Sequence, residues 1–299
     1  MKNILLPTDF SEDAYNAAKY VIDLYQGERC TFHLLNTYTP AIVHSRFMAV
    51  ALNGHELEDH IRNSSEKGLQ KAKQCLMGFS QNPDHSYKTI SSFSLLVDEI
   101  NNLVEKDGMD LVVMGSKGTT AMEEVFMGSN TVRVIKSVKN CAVLAVPSGF
   151  GFSAISEIAF ATDFNRFYTA SELFPLIDMA KGFGATVRIV HVQPKLSALS
   201  EIQRFNLGML RKYLGAVEHY VHTVSELNSI SRTLEVFTEE LDIHLLAMLN
   251  YRHSFMDSVT SEPIVKRMAL NSQVPLLVIP ELGMEASSKK RDAQLLWGK

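Results

Sequence analysis

The sequence predicts an α/β protein made of two tandem doubly wound domains, each built on a five-stranded parallel sheet. Three observations lead there. The chain repeats itself: Ile4 to Phe10 reads ILLPTDF and Ile158 to Phe164 reads IAFATDF, Thr31 to Asn36 (TFHLLN) matches Thr186 to His191 (TVRIVH), and Ala142 to Pro147 (AVLAVP) matches Pro275 to Pro280 (PLLVIP). Short, nearly continuous apolar runs alternate with amphipathic stretches, as buried parallel strands alternate with the helices that cover them. Right-handed crossovers then wind the chain over both faces of each sheet.

In the first copy, strands are expected near 3–7, 31–37, 87–93, 110–114 and 142–147, with helices near 12–26, 56–78, 96–107 and 129–138. In the second, strands fall near 157–162, 186–192, 217–223, 244–249 and 275–279, and helices near 167–182, 199–214, 225–241 and 260–270. Asp163 follows Asp9 by 154 positions while Pro280 follows Pro147 by 133, so the second copy is shorter by about 21 residues. The second-strand pair keeps the longer offset, which places the loss after that strand. The extra material of the first copy is then Ala41 to Ser65, a loop and an extended helix. Domains are expected at 1–148 and 154–281, with a tail at 282–299, and the glycines and serines of Ser148 to Ser153 suit a short flexible join.

Composition narrows the function classes. The chain has 299 residues, 46% hydrophobic and 21% charged, enough for two cores. A formal net charge of −4 argues against a general nucleic-acid binder. Three cysteines are too few for a disulfide framework or a zinc site, and Cys141, opening an apolar run, reads as a buried free thiol in a reducing compartment. The apolar start Ile4 to Leu6 is too short for a signal peptide and is followed at once by Asp9, Glu12 and Asp13. No apolar run is long enough to cross a bilayer, so a cytoplasmic protein with no membrane partner is expected.

The chemistry concentrates after the fourth strand of the first copy. Gly115-Ser116-Lys117-Gly118 is followed, nine residues on, by Gly128-Ser129-Asn130-Thr131 at the start of a helix. Glycines let backbone amides approach a bulky anion, and a helix N-terminus presents unpaired N–H groups to a phosphate. The hydroxyls of Ser129 and Thr131 would add donors. The alternative is that the glycines serve tight turns and Ser129 is an N-cap. The spacing is not that of a P-loop, so Lys117 has no Walker role, and a dinucleotide fingerprint would follow the first strand instead.

This pattern resembles the universal stress proteins, whose ATP-binding members carry Gly-x2-Gly-x9-Gly-Ser/Thr after the fourth strand. Gly115, Gly118, Gly128 and Ser129 match it in full, and Pro7-Thr8-Asp9 matches the family's Pro-x-Asp at the end of the first strand. The resemblance runs over both copies. It implies a Rossmann-like, adenine nucleotide α-hydrolase-like fold and ATP, with or without Mg2+, in the first copy. Asp9 would meet the adenosine and Thr37 would line the adenine pocket. Met114, Ser116, Lys117 and Asn130 would flank the glycines that cradle the phosphates. Asp9 also has a local alternative, a turn or capping role just before Ser11. The family further implies that domains pair through their last strands, here Cys141 to Pro147 and Val274 to Pro280, and that two chains form a homodimer.

The second copy departs from the pattern. Alignment on the fourth strand puts Leu249 opposite Gly115 and Arg252 opposite Gly118, and Ser261-Glu262-Pro263 falls opposite Gly128-Ser129-Asn130. Glu262 would compete with phosphate and Pro263 lacks an amide donor, so no ATP is expected there. An anion site from Tyr251, Arg252 and His253 is the alternative. His44, His55 and His60 lack metal-site spacing, the basic tail from Ser287 to Trp297 carries no motif, and no nucleophile–base pair is visible. A non-enzymatic, nucleotide-dependent regulatory protein is the leading expectation, with a non-binding scaffold or a slow ATPase as competitors.

Overall fold

The computed structural model describes residues 1–39, 54–116, 129–250, 268 and 272–282, without the side chains of 54–58 and 129. The chain divides into two compact units, Met1–Phe152 and Ser153–Lys299.

In the first unit the order of elements is β1 (Lys2–Pro7), α1 (Glu12–Leu24), β2 (Cys30–Tyr38), α2 (Gly54–Phe79), β3 (Ser86–Phe93), α3 (Leu96–Asp107), β4 (Leu111–Gly115), α4 (Ser129–Ser137) and β5 (Ala142–Val146). The strands lie in the order β3-β2-β1-β4-β5, and each paired neighbour is parallel. The central strands are apolar along their whole length because helices cover both faces: every residue of β4 and β5 is buried. At the edge, β3 is half exposed and carries Lys88 and serines, the polar dressing that keeps an open edge from pairing with another chain.

Winding reverses between β1 and β4. The chain runs outward through β1, β2 and β3, then returns to place β4 on the other side of β1, with Ile4 opposite both Phe32 and Leu111. Helix α1 lies chiefly against β4 and α2 against β3 and β2, while α3 packs with α4. Helix α1 is started by Ser11, whose hydroxyl accepts from the Ala14 N–H at 3.2 Å, and Glu12 and Asp13 in its first turn suit the positive end of the helix dipole. Cys141 is a buried free thiol, its Sγ 3.3 Å from the Met109 carbonyl.

The second unit repeats the plan with β6 (Glu157–Ala161), α5 (Ala170–Phe183), β7 (Thr186–Gln193), α6 (Glu201–Tyr213), β8 (His219–Ser225), α7 (Ile230–Glu240), β9 (Leu245–Asn250) and β10 (Leu276–Pro280). Its strands lie in the order β8-β7-β6-β9-β10, all parallel. Capping boxes start α5 (Thr169 with Glu172) and α6 (Ser200 with Gln203), each satisfying two amides that a helix start leaves open.

Two details differ from the sequence reading. The join is pinned to the first unit, since Phe150 and Phe152 pack against Tyr20 with ring centroids 5.8 and 6.1 Å away and Asn16 donates to the Phe150 carbonyl at 3.2 Å. Leu282, assigned to the tail, is buried, and its N–H donates to the Glu172 carboxylate at 3.1 Å. The helix expected near 260–270 apart from Met268, the loop from Tyr251 to Pro263 and the rest of the tail lie outside the described residues, as does the insertion up to residue 53.

Candidate functional site

The tip of β1 is a turn held by its own side chains. The Thr8 N–H donates to the Leu35 carbonyl at 2.8 Å, extending the β1–β2 ladder by one bond. Phe10 N–H then donates to Thr8 Oγ1 at 3.0 Å and Ser11 N–H to Asp9 Oδ1 at 3.1 Å, while Asn36 Nδ2 donates to the Thr8 carbonyl at 2.7 Å. These bonds drive Phe10 into the left-handed region, φ 64°, a conformation rare for a bulky residue. Pro7 is buried, Thr8 half-buried and Asp9 exposed, so the carboxylate that starts the turn also faces outward. Thr37, half-buried near the end of β2, is paired with Ser92.

Beside it, across the reversal of strand order, β4 ends in buried Met114 and Gly115. Gly115 is glycine for want of space: a Cβ there would lie 2.7 Å from the Asp13 carbonyl oxygen and 3.1 Å from Asp13 Cβ. The first turn of α1 therefore sits directly against the end of β4. Ser116 N–H continues the ladder to the Val146 carbonyl at 2.8 Å. Thr131, expected to present its hydroxyl to a phosphate, is buried and donates instead to the Gly115 carbonyl at 2.9 Å. Its single proton is spent on tying α4 to the strand end. Asn130 is exposed in the first turn of α4, which Ser129 begins; Lys117, Gly118 and Gly128 lie outside the described residues.

The second unit builds the same turn from the same Thr-Asp-Phe and changes the side chains around it. Thr162 N–H donates to the Val190 carbonyl at 3.0 Å, Phe164 N–H to Thr162 Oγ1 at 3.3 Å, and Asn165 N–H to Asp163 Oδ1 at 3.0 Å. His191 takes the place of Asn36, its Nδ1 3.0 Å from the Thr162 carbonyl. Phe164 again has a left-handed backbone, φ 58°, but its ring is fully buried with the His191 ring 4.9 Å away. Gln203 Nε2 and Asn206 Nδ2, from α6, donate to the carbonyls of Asp163 and Phe164 at 2.9 and 2.8 Å. Burial lowers the affinity of His191 for a proton, only partly offset by the Thr162 carbonyl and Asp163. Strand registers place Leu249 where Gly115 stands, opposite Ile279 as Gly115 is opposite Val146.

Sequence reasoning missed one feature of the first unit. A cavity of about 290 Å3 opens between α1 and α2, floored by Leu6 and Leu34 and walled by Phe10, Tyr15, Ala18 and Leu76. Among the described residues, no group of three His, Cys, Asp or Glu side chains gathers as a metal site requires.

The family model "Universal stress protein family" matches residues 1–147. A universal stress protein of Methanocaldococcus jannaschii is 31% identical over 153 residues, which are 48% of this chain and 94% of that protein. The chain belongs to the universal stress protein family. A second universal stress protein of the same organism is 27% identical over 150 residues, covering 48% of this chain and 81% of that one. The crystal structure of a universal stress protein from Archaeoglobus fulgidus superposes over 95% of this chain and 97% of its own, with a TM-score of 0.69 and 18% identity. That likeness extends the family fold over both units. Between the units, the turn after the first strand is kept and the residue ending the fourth strand changes from Gly115 to Leu249.

Proposed function

We propose that the first unit binds ATP at the tips of β1 and β4, and that occupancy of this site, not catalysis, is how the protein acts. The observation that carries the reading is that exposed Asp9 and the Gly115–Ser116 strand end follow two paired neighbouring strands, β1 and β4, at the reversal of strand order, where open parallel sheets take their ligands. From there the chain runs through Gly118 and Gly128 to the start of α4, in the spacing that gives a phosphate both free amides and a helix N-terminus. Asp9, exposed after β1, is the residue that the family pattern sets against the adenosine. In the second unit Leu249 replaces the glycine at the strand end, and the chain beyond offers Glu262 and Pro263 in place of the cradle. We assign ATP to the first unit alone.

The test is the thermal midpoint of nucleotide-stripped protein with and without Mg-ATP. Ligand at 100 times its Kd adds about 2.7 kcal/mol to the state that binds it. The expected result is a clear rise that Gly118→Asp removes while leaving the ligand-free midpoint in place. No shift with ATP in the folded, empty protein overturns the reading in favour of an interaction scaffold, and Mg2+-dependent turnover would make it an ATPase.

A further inference from the structure

The cavity between α1 and α2 is not required by the fold, because the second unit puts buried Phe164, His191 and Asn206 beside the equivalent turn. In the first unit Phe10 stays 44% exposed and forms a wall instead. Gly68, a poor helix former in mid-α2, permits this: a Cβ there would come within 2.6 Å of the Phe10 ring. The walls are apolar and the cavity opens to solvent at its rim, so it suits a guest with an apolar body and a polar end. Its rim carries one acid and one base, exposed Glu12 on α1 and exposed Lys71 on α2, which do not pair with each other. Cys75, exposed one turn beyond Lys71, completes the rim. About 290 Å3 holds on the order of ten water-sized groups, at the lower limit of small-molecule sites.

We propose that this cavity is a second ligand site, separate from the nucleotide crevice, for a free apolar α-amino acid. The side chain enters between α1 and α2, the ammonium faces Glu12 and the carboxylate faces Lys71. One zwitterion answers both rim charges, where a fatty acid or an amine would leave one opposed. The site shares only Pro7 and Thr8 with the residues assigned to ATP, so its fate does not hang on the nucleotide reading.

Cys75 supplies the readout, since Cys30 and Cys141 are buried and their silence reports that each variant is folded. L-Phenylalanine at ten times the Kd given by its own protection curve should slow iodoacetamide labelling of Cys75 about tenfold. Saturating ATP should leave that protection intact, and Ala72→Leu, which fills the cavity without opposing the helix, should abolish it. 3-Phenylpropionate and phenethylamine, each lacking one head charge, should bind about three- to fivefold more weakly, as partly exposed ion pairs allow. Lys71→Gln should remove the preference for phenylalanine over phenethylamine, and Glu12→Gln the preference over phenylpropionate. No protection by phenylalanine, equal protection by phenylpropionate, or displacement of phenylalanine by ATP would each overturn the assignment.

Discussion

The same three residues, Thr-Asp-Phe, end the first strand of both units with the same hydrogen bonds, yet the two phenylalanines have opposite fates. Phe10 is 44% exposed and Phe164 is completely buried. The backbone does not distinguish them, since both sit in the left-handed region within a few degrees of each other. The difference comes from what surrounds the turn. In the second unit His191 stands in for Asn36 and offers a ring to pack on, and Gln203 and Asn206 hold the turn's carbonyls from α6. In the first unit α2 presents Gly68 and leaves room beneath Phe10. A duplicated motif therefore fixes local geometry, while the neighbouring helix decides whether the space beside it is core or site.

Truncating the two rings should break the comparison most sharply. Phe164→Ala is expected to destabilise the second unit by about 3–5 kcal/mol, the range for emptying a large buried ring. Phe10→Ala, at a half-solvated position, should change stability by less than about 1 kcal/mol. Denaturant unfolding with a probe in each unit separates the two. Equal losses would mean that Phe10 is core after all and that the cavity is closed in solution.

The ends of β4 and β9 offer a second contrast. Gly115 has no room for a Cβ because the first turn of α1 lies against it, whereas Leu249 occupies the same register and is buried. The helices also start differently. Helix α1 begins at Glu12, five residues after β1 ends, but α5 begins only at Ala170, after a longer non-helical run from Thr162 to Thr169. Gly115→Ala should thus cost about 1–3 kcal/mol by overpacking, in spite of being a change from a poor to a good residue elsewhere. A neutral or stabilising result in urea unfolding would show that α1 yields easily at this point.

The repeat and the strand alternation were legible because they rest on short local patterns: apolar runs and a turn motif. The alignment of Leu249 with Gly115 needed only strand counting. What pattern could not convey was why a residue is there. Gly115 reads as a place for an anion, yet its closest demand is the Asp13 carbonyl, a contact across a hundred residues of sequence. Thr131 reads as a phosphate donor and turns inward to the Gly115 carbonyl. The cavity had no sequence signature, since β1, α1, β2 and α2 each supply a few ordinary apolar side chains to it.

The smallest expected effect concerns pH, and it sharpens the exchange of Asn36 for His191. Burial lowers the proton affinity of His191 in the folded second unit, so the unfolded chain takes up the proton first as pH falls below about 6.5. The stability this buried neutral ring contributes is complete above that value and is lost progressively as pH drops through the lower folded pKa. His222, also in the second unit, shifts in the same direction through burial and then Arg188; the first unit has His33, lowered by burial and then Lys88. Between pH 7 and 5 the second unit should lose more stability than the first. His191→Asn restores the residue that makes the same bond in the first unit and removes one titrating group, so it should flatten the second unit's pH dependence while lowering its stability at pH 7 through the lost ring contact with Phe164. An unchanged slope would locate the acid sensitivity in His222 at the edge strand, away from the turn that the two units share.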